Sequence, residues 1–381
     1  MGTQVLKKVA PIMKIVPNQP TMPPLEKMMP YLQRIWDSKI LSNGGAISLA
    51  FVDELKIKLE VKNIELFSSG TLALLAAIKT LGLQGEVITT PYTFAATTNA
   101  LIWNNLTPIF VDIEPNFFNI DPKRIEAAIT PRTSGVLAVH CYGNPCNVKE
   151  INRIALKHNL KVIYDAAHAF GVSDKDGSIL KWGDISVLSL HATKVFGTGE
   201  GGAALSSDDK ISENLRRMKN FGLTSNQDIV EPGFNGKISE INCAFGLAAL
   251  PLYEEARQAR KVISERYRSE LSKINGILIP PEPKHTILNY GYFPILITDG
   301  FRNYLWEQLL ACNIVARRYF YPLMANTTFY RTNPTAKFEN LPVSNSVSEE
   351  VLCLPTHSNL TEADQDYIIE SIAKLMLKKA K

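Results

Sequence analysis

The chain has 381 residues, 45% hydrophobic and 20% charged, with a net charge of +4. At roughly 150 residues per domain this suffices for two cores, and so small a charge excess gives no reason to expect nucleic acid as a partner. No run of about 18 apolar residues occurs, so no membrane span is expected. The five cysteines, at 141, 146, 243, 312 and 353, are odd in number and irregular in spacing, which fits reduced thiols in a cytoplasmic protein.

Residues 1–24 are rich in Pro and Met and read as an extended segment over the body. They lack an apolar stretch followed by a small-residue cleavage site, and Gly2 lacks the Ser or Thr that a myristoylation start requires, since Leu6 stands there. Leu25 to Lys39 reads as a helix closed by Asn43-Gly44-Gly45, and "AISLAFVDELKIKLEV" as a second. From 64 to 206 short apolar runs alternate with helical ones. "EVITT" (86–90), "TPIFVDI" (107–113), "SGVLAVH" (134–140), "KVIYDAA" (161–167), "ISVLSLH" (185–191) and "GGAALSS" (201–207) read as buried strands. Between them lie "SGTLALLAAIKTLG", "AATTNALIWNN", "DPKRIEAAIT" and "VKEINRIALKHN". This alternation predicts an α/β fold with a mostly parallel central sheet flanked by helices. After about 245 the pattern changes to a long helical stretch broken near Pro251, then "YGYFPILI", "FRNYLWEQLLACN", "IVARRYFYPL" and a last helix, "TEADQDYIIESIAKLMLKK". The expected division is therefore a large domain over 25–250 and a smaller α+β domain over 251–381.

Three stretches carry chemistry. In "FSSGTLALLAAI", two serines, a glycine and a threonine precede a helix, which clusters free N–H groups and hydroxyls at its positive end and suits a phosphate. A Walker loop is excluded because Gly-Lys-Ser/Thr is absent. In "VIYDAAHAFG", Asp165 closes an apolar strand, where a carboxylate needs a cation or strong donor: a protonated pyridine nitrogen, a metal or an arginine. His168 stands three residues on. In "SLHATKVFGTGEGG", Lys194 follows a strand with Ser189 before it and a glycine-rich turn after it. Simple helix capping, a core histidine and a solvated lysine are the plain readings of the same residues, and no piece is specific alone. Together they supply partners for the phosphate, ring nitrogen and aldehyde of pyridoxal 5'-phosphate (PLP). "HCYGNPC" lacks a second Cys/His pair at zinc-site spacing, so no metal is expected. "GTGEGG" follows several strands and closes into another strand, unlike a nicotinamide fingerprint, which opens a helix after the first strand.

From about residue 15 to the end the chain resembles the DegT/DnrJ/EryC1/StrS sugar aminotransferases, fold-type I PLP enzymes. "SSGTLAL", "TTPYTFAATTNA", "PIFVDIEP", "YDAAHAFG", "SLHATKVFGTGEGGA" and "FNGKISEINCAFGL" match that family's motifs in order. The resemblance implies catalytic roles for Lys194 (covalent link to the cofactor and proton transfer), Asp165 (pyridine nitrogen) and His168 (near the phenolic oxygen). It implies that Gly70, Thr71 and Ser189 hold the phosphate, that Phe94 stacks on the ring with Tyr92 as second choice, and that Asn235 reaches the phosphate of a partner subunit in a homodimer. Arg317, Tyr319 and Tyr321 are expected near a nucleotide-sugar substrate. The family's frequent Gln after "FGL" and His after "RRYFYPL" are replaced by Ala248-Ala249 and Met324. Lys194 separates the chain from the dehydratase branch, which carries histidine there, and "HATK" points to amination at C4 of a 4-keto-6-deoxy sugar. The implied reaction is conversion of dTDP-4-keto-6-deoxyglucose to the 4-amino-4,6-dideoxy sugar with glutamate as donor, in cytoplasmic deoxysugar biosynthesis for O-antigen lipopolysaccharide. A C3-specific or UDP/GDP-linked aminotransferase is the alternative, ahead of a non-catalytic PLP-fold regulator or an NAD-dependent sugar oxidoreductase.

Overall fold

The computed structural model describes residues 14–377. The first 13 residues of the expected extended segment, Gly2 among them, and Lys378 and Lys379 of the expected last helix lie outside them. Residues 14–24 form no helix, and Ile15 makes a parallel bridge to Ile314 while Thr356 N donates to Pro17 O.

In chain order the elements are α1 (Leu25–Ser38), α2 (Ala46–Leu59), β1 (Asn63–Phe67), α3 (Gly70–Thr80), β2 (Glu86–Thr89), α4 (Ala95–Trp103), β3 (Thr107–Phe110), α5 (Pro122–Ala127), β4 (Thr133–Val139), α6 (Val148–His158) and β5 (Lys161–Asp165). A small hairpin, β6 (Ser173–Asp174) and β7 (Gly177–Ser178), leads to β8 (Ile185–Ser189), β9 (Gly202–Ser206), α7 (Asp209–Met218), α8 (Glu240–Ala249) and α9 (Tyr253–Leu271). The rest comprises β10 (Ile277–Leu278), β11 (Phe293–Ile297), α10 (Arg302–Ala311), α11 (Pro342–Glu350), β12 (Val351–Leu354) and α12 (Glu362–Met376).

The main sheet has the order β1-β9-β8-β5-β4-β2-β3. Its inner pairs are parallel, whereas β9 runs antiparallel to both β8 and β1. Burial on both faces explains why most strands are continuous apolar runs. Ile64, Leu66, Leu188 and Leu205 pack under α2 and α8 on one side, and Val87, Leu137, Ile163 and Val187 under α3 and α4 on the other. Pro251 falls in a 3₁₀ turn, Leu250–Leu252, so its missing N–H interrupts the helical stretch between α8 and α9 at no hydrogen-bonding cost. A second sheet, β10-β11-β12, is antiparallel and packs with α9, α10 and α12.

Several elements depart from the sequence reading. Strand β1 was not anticipated: "NIELF" carries Glu65, which accepts from Ser212 and Lys219 of the α7 region. Strand β3 stops at Phe110, and the expected Ile113 instead bridges Ile120. Helix α11 was missed because "PVSNSVSEE" is made of weak helix formers.

Candidate active site

The carboxyl ends of β5 and β8 and the N-termini of α3 and α4 open on one side of the sheet, around a cavity of about 400 Å³. Open α/β sheets bind ligands at this edge. Ser69, Gly70, Thr71, Phe94, Asp165, His168, Ser189, Lys194, Arg317 and Tyr319 all line it. Asn235 and Tyr321 do not. Asn235 makes a bridge with Asn220, and the Tyr321 ring packs on the guanidiniums of Arg302 and Arg318, 4.2 and 4.8 Å away. Tyr92, second choice for stacking, is also withdrawn from the cavity: it is fully buried, with its hydroxyl 2.6 Å from that of Tyr142. Phe94 is 59% exposed at the rim and free to cover a flat ligand.

Ser69 caps α3, its hydroxyl accepting from Leu72 N at 3.2 Å, which leaves the amides of Gly70 and Thr71 at the positive end of the helix. A Cβ on Gly202 would lie 2.4 Å from Gly70 N and from the Ser69 carbonyl carbon, so glycine is what lets β9 run beneath this turn. "GTGEGG" thus shapes the cup from below.

Asp165 is buried and accepts from Ala167 N (3.0 Å) and the Thr97 hydroxyl (2.6 Å). Burial pushes its carboxyl above the usual range, while those two hydrogen bonds and the Lys194 charge pull it back. His168 accepts from Tyr142 N at its Nδ1 (3.2 Å), which leaves the proton of the neutral ring on Nε2 as a donor. Burial, reinforced by Lys194, holds its pKa well below 6.5, so this neutral form persists. The Lys194 amine donates to the Tyr292 hydroxyl at 3.3 Å. Its pKa falls from 10.5 to about 8: burial lowers it, Asp165 opposes and Arg317 assists.

Residues that sequence reasoning missed are Thr97, Thr93, Tyr292, His191 and Glu200. The first two stand in the quoted "PYTFAATT", but nothing local says that a threonine will meet a carboxylate 68 positions away. Tyr292 lies just before β11, in a segment to which the sequence assigned no chemistry. His191, next to the catalytic loop, accepts from Thr193 N at Nδ1 and turns Nε2 toward Glu200, 3.5 Å away.

These groups suit PLP: a buried carboxylate, an open helix N-terminus for the phosphate, and a partly buried amine of lowered pKa for the aldehyde. The Cys146 thiol donates to Val139 O at 3.1 Å. His140 Nδ1 accepts from Cys146 N at 3.0 Å, and among the described residues no cluster of His, Cys, Asp and Glu is placed to hold a metal ion.

The DegT/DnrJ/EryC1/StrS aminotransferase family matches residues 25–373. The chain belongs to that family. It is a PLP-dependent sugar aminotransferase of the mostly parallel α/β type. A dTDP-4-amino-4,6-dideoxy-D-glucose transaminase of Escherichia coli is 47% identical over 371 residues, 96% of this chain and 99% of that protein. DesI, solved with its TDP-sugar product, superposes with a TM-score of 0.92 at 31% identity, covering 97% of this chain and 95% of its own. NtdA of Bacillus subtilis, solved with bound cofactor PMP, gives 0.85 at 27% identity, covering 93% and 82%. Asp165 ends β5, and Lys194 lies on the connection that leaves the neighbouring strand β8.

Proposed function

We propose that this aminotransferase moves the amino group of glutamate to C4 of dTDP-4-keto-6-deoxyglucose, giving the 4-amino-4,6-dideoxy sugar. The observation that carries the reading is one cavity in which a partly buried amine, a buried carboxylate and an open helix N-terminus meet. The activity of the Escherichia coli relative supports the choice of sugar.

PLP, when bound, supplies an aldehyde carbon for the amine and an electron sink for the substrate carbon that loses its proton. Gly70, Thr71 and Ser189 bind the phosphate. Asp165 holds the ring nitrogen in its protonated form, His168 offers Nε2–H to the phenolic oxygen, and Phe94 covers the ring. Lys194 anchors the cofactor and carries the proton at Nζ; a pKa of about 8 leaves it able both to take and to return one near neutral pH. Arg317 and Tyr319 meet the nucleotide sugar, whereas Tyr321, outside the cavity, is assigned no direct contact. Asn235 serves the cavity of a second copy, so the active unit is a homodimer. Residues 25–250 and 251–381 form the two domains, and the enzyme works in the cytoplasm, supplying an amino sugar to O-antigen assembly. Ping-pong kinetics follow, because donor and acceptor use one cavity in turn.

The test is spectroscopic and then chemical. Added PLP should give the purified protein a visible band that borohydride treatment abolishes, leaving the cofactor fixed irreversibly to Lys194. Glutamate and dTDP-4-keto-6-deoxyglucose should then yield 2-oxoglutarate and the amino sugar, followed by mass spectrometry and NMR beside GDP-linked, UDP-linked and 3-keto substrates. Absence of the band would sink the PLP assignment; the band with a preference for another sugar nucleotide would sink the substrate.

A further inference from the structure

The groups around Asp165 point to a residue for which the reading above finds no use. Thr97, the third residue of α4, is fully buried, and its hydroxyl donates to Asp165 Oδ2 at 2.6 Å. The Thr93 hydroxyl, also buried and at the cavity wall, lies 2.7 Å from that of Thr97. Ala167 N donates to the other carboxylate oxygen at 3.0 Å. An ionised carboxylate only accepts, and a threonine has one hydroxyl proton. The Thr97 proton is therefore committed to Asp165, and the proton between the two threonines must come from Thr93. The chain of donors runs in one direction, Thr93 to Thr97 to Asp165. Both carboxylate oxygens are held by donors from two elements, α4 and the loop after β5, so the group cannot turn away from the cavity.

We propose that Thr97 is a positioning residue for the transamination, its hydroxyl keeping the Asp165 carboxylate ionised and fixed against the cofactor ring, with Thr93 orienting that hydroxyl. The proposal rests on Asp165 being the partner of the ring nitrogen. Burial favours the neutral carboxylic acid, and the Thr97 hydrogen bond opposes it most strongly. A short O–H···O⁻ contact of this length is of the charge-assisted kind. The other titratable groups on the cavity are His168 on the same loop, Lys194, His191 and Glu200 on the β8–β9 connection, and Tyr292, Tyr319 and Arg317 across it.

PLP binding to the apoprotein, measured by fluorescence quenching at several pH values, tests the proposal without recourse to turnover. Thr97→Val keeps the shape and removes the hydroxyl. It should bind PLP about tenfold more weakly than wild type toward the acid end of the range, a difference of ~1.4 kcal/mol. The ratio should shrink as pH rises, because Asp165, now harder to ionise, is charged again at higher pH. Thr97→Ser should return to within about twofold of wild type. A loss that is the same at every pH would mean that the threonine only fills space, and an unchanged affinity would mean that it does nothing for Asp165; either overturns the proposal. Asp165→Asn separates the underlying reading. If that variant binds PLP as wild type does, Asp165 is not the ring partner; if it is weakened while Thr97→Val is not, only the role of Thr97 falls. Should Thr97→Val melt too low to measure, Thr93→Val takes its place, with a pH-dependent loss expected and a flat or absent one overturning the idea.

Discussion

At the scale of single residues, the site is built by making groups uncomfortable. Lys194 ordinarily titrates at 10.5 but at about 8 in this fold, chiefly through burial. In the apoprotein that difference is a stability cost of ~3 kcal/mol, at ~1.36 kcal/mol per pH unit. The sign follows from proton counting. Between about 8 and 10.5 the unfolded chain holds the proton and the folded chain does not, so stability rises with pH there. Below about 8 the full cost is present. Lys194→Met should therefore raise the melting temperature of the apoprotein at pH 7, and the advantage should vanish by about pH 10.5. A variant of unchanged or lower stability at pH 7 would mean that the amine is not held against its preference. The residues easiest to read from sequence were Asp165 and Ser189, which end apolar strands, and Lys194, which follows one, because together they stood out although each has a plain reading alone. Thr97 and Tyr292 were illegible for the opposite reason. Their partners are 68 and 98 positions away, and threonine in a helix or tyrosine in a strand calls for no explanation.

Among elements, the same limit decides what could be foreseen. Helices with an apolar stripe and a clear stop were visible, α2 among them, whereas α11, with weak helix formers and its cap supplied from a distance, was not. The N-terminus of α11 is held by Asp112, which follows β3: it is fully buried and accepts from Val343 N and Ser344 N, each at 2.8 Å. The other end is held by buried Arg302, which donates to the carbonyls of Ser348 and Glu349. Glu240 of α8 does the same for α2, accepting from Gly45 N, Ile47 N and Ser48 N at 3.0–3.1 Å. These carboxylates meet free N–H groups at the positive end of each helix, which makes up for weak local propensity. Asp112→Ala would strand the amides of Ile113, Val343 and Ser344 and the Ser344 hydroxyl, all of which donate to Asp112. We expect a loss of ~3 kcal/mol, read as a lower urea midpoint at unchanged slope, with proteolytic cleavage appearing first near α11. A midpoint within ~0.5 kcal/mol of wild type would show that α11 is held by its apolar packing alone.

For the whole molecule, the cavity takes Tyr292, Arg317, Tyr319 and Phe320 from the C-terminal half and its other walls from the main sheet and the helices and loops at its carboxyl edge, so neither half is sufficient. Asn235, like Tyr321, does not reach its own chain's cavity. It closes a folded-back segment in which Asn220 bridges Asn235 and Leu223 bridges Ile229. That segment leaves Phe221, Ile229 and Val230 at 47, 64 and 53% exposure, more large apolar surface than a solvent-facing turn needs. A second copy covering this surface would bring Asn235 to a cavity that is not its own, and the arrangement can be tested by mixing. Lys194→Ala lacks the amine; Asn235→Asp places a negative charge against the phosphate. If sites are shared, only a mixed dimer has an intact one: the cavity with Lys194 receives Asn235 from the other chain. Random reassociation of equal amounts makes about half of all dimers mixed, each with one working site, so about a quarter of wild-type activity should return. Subunits exchanged under mild urea and then dialysed should show that recovery in the glutamate-dependent assay. Activity no greater than the mean of the two parents, with exchange verified by mass spectrometry, would place Asn235 in the service of its own chain.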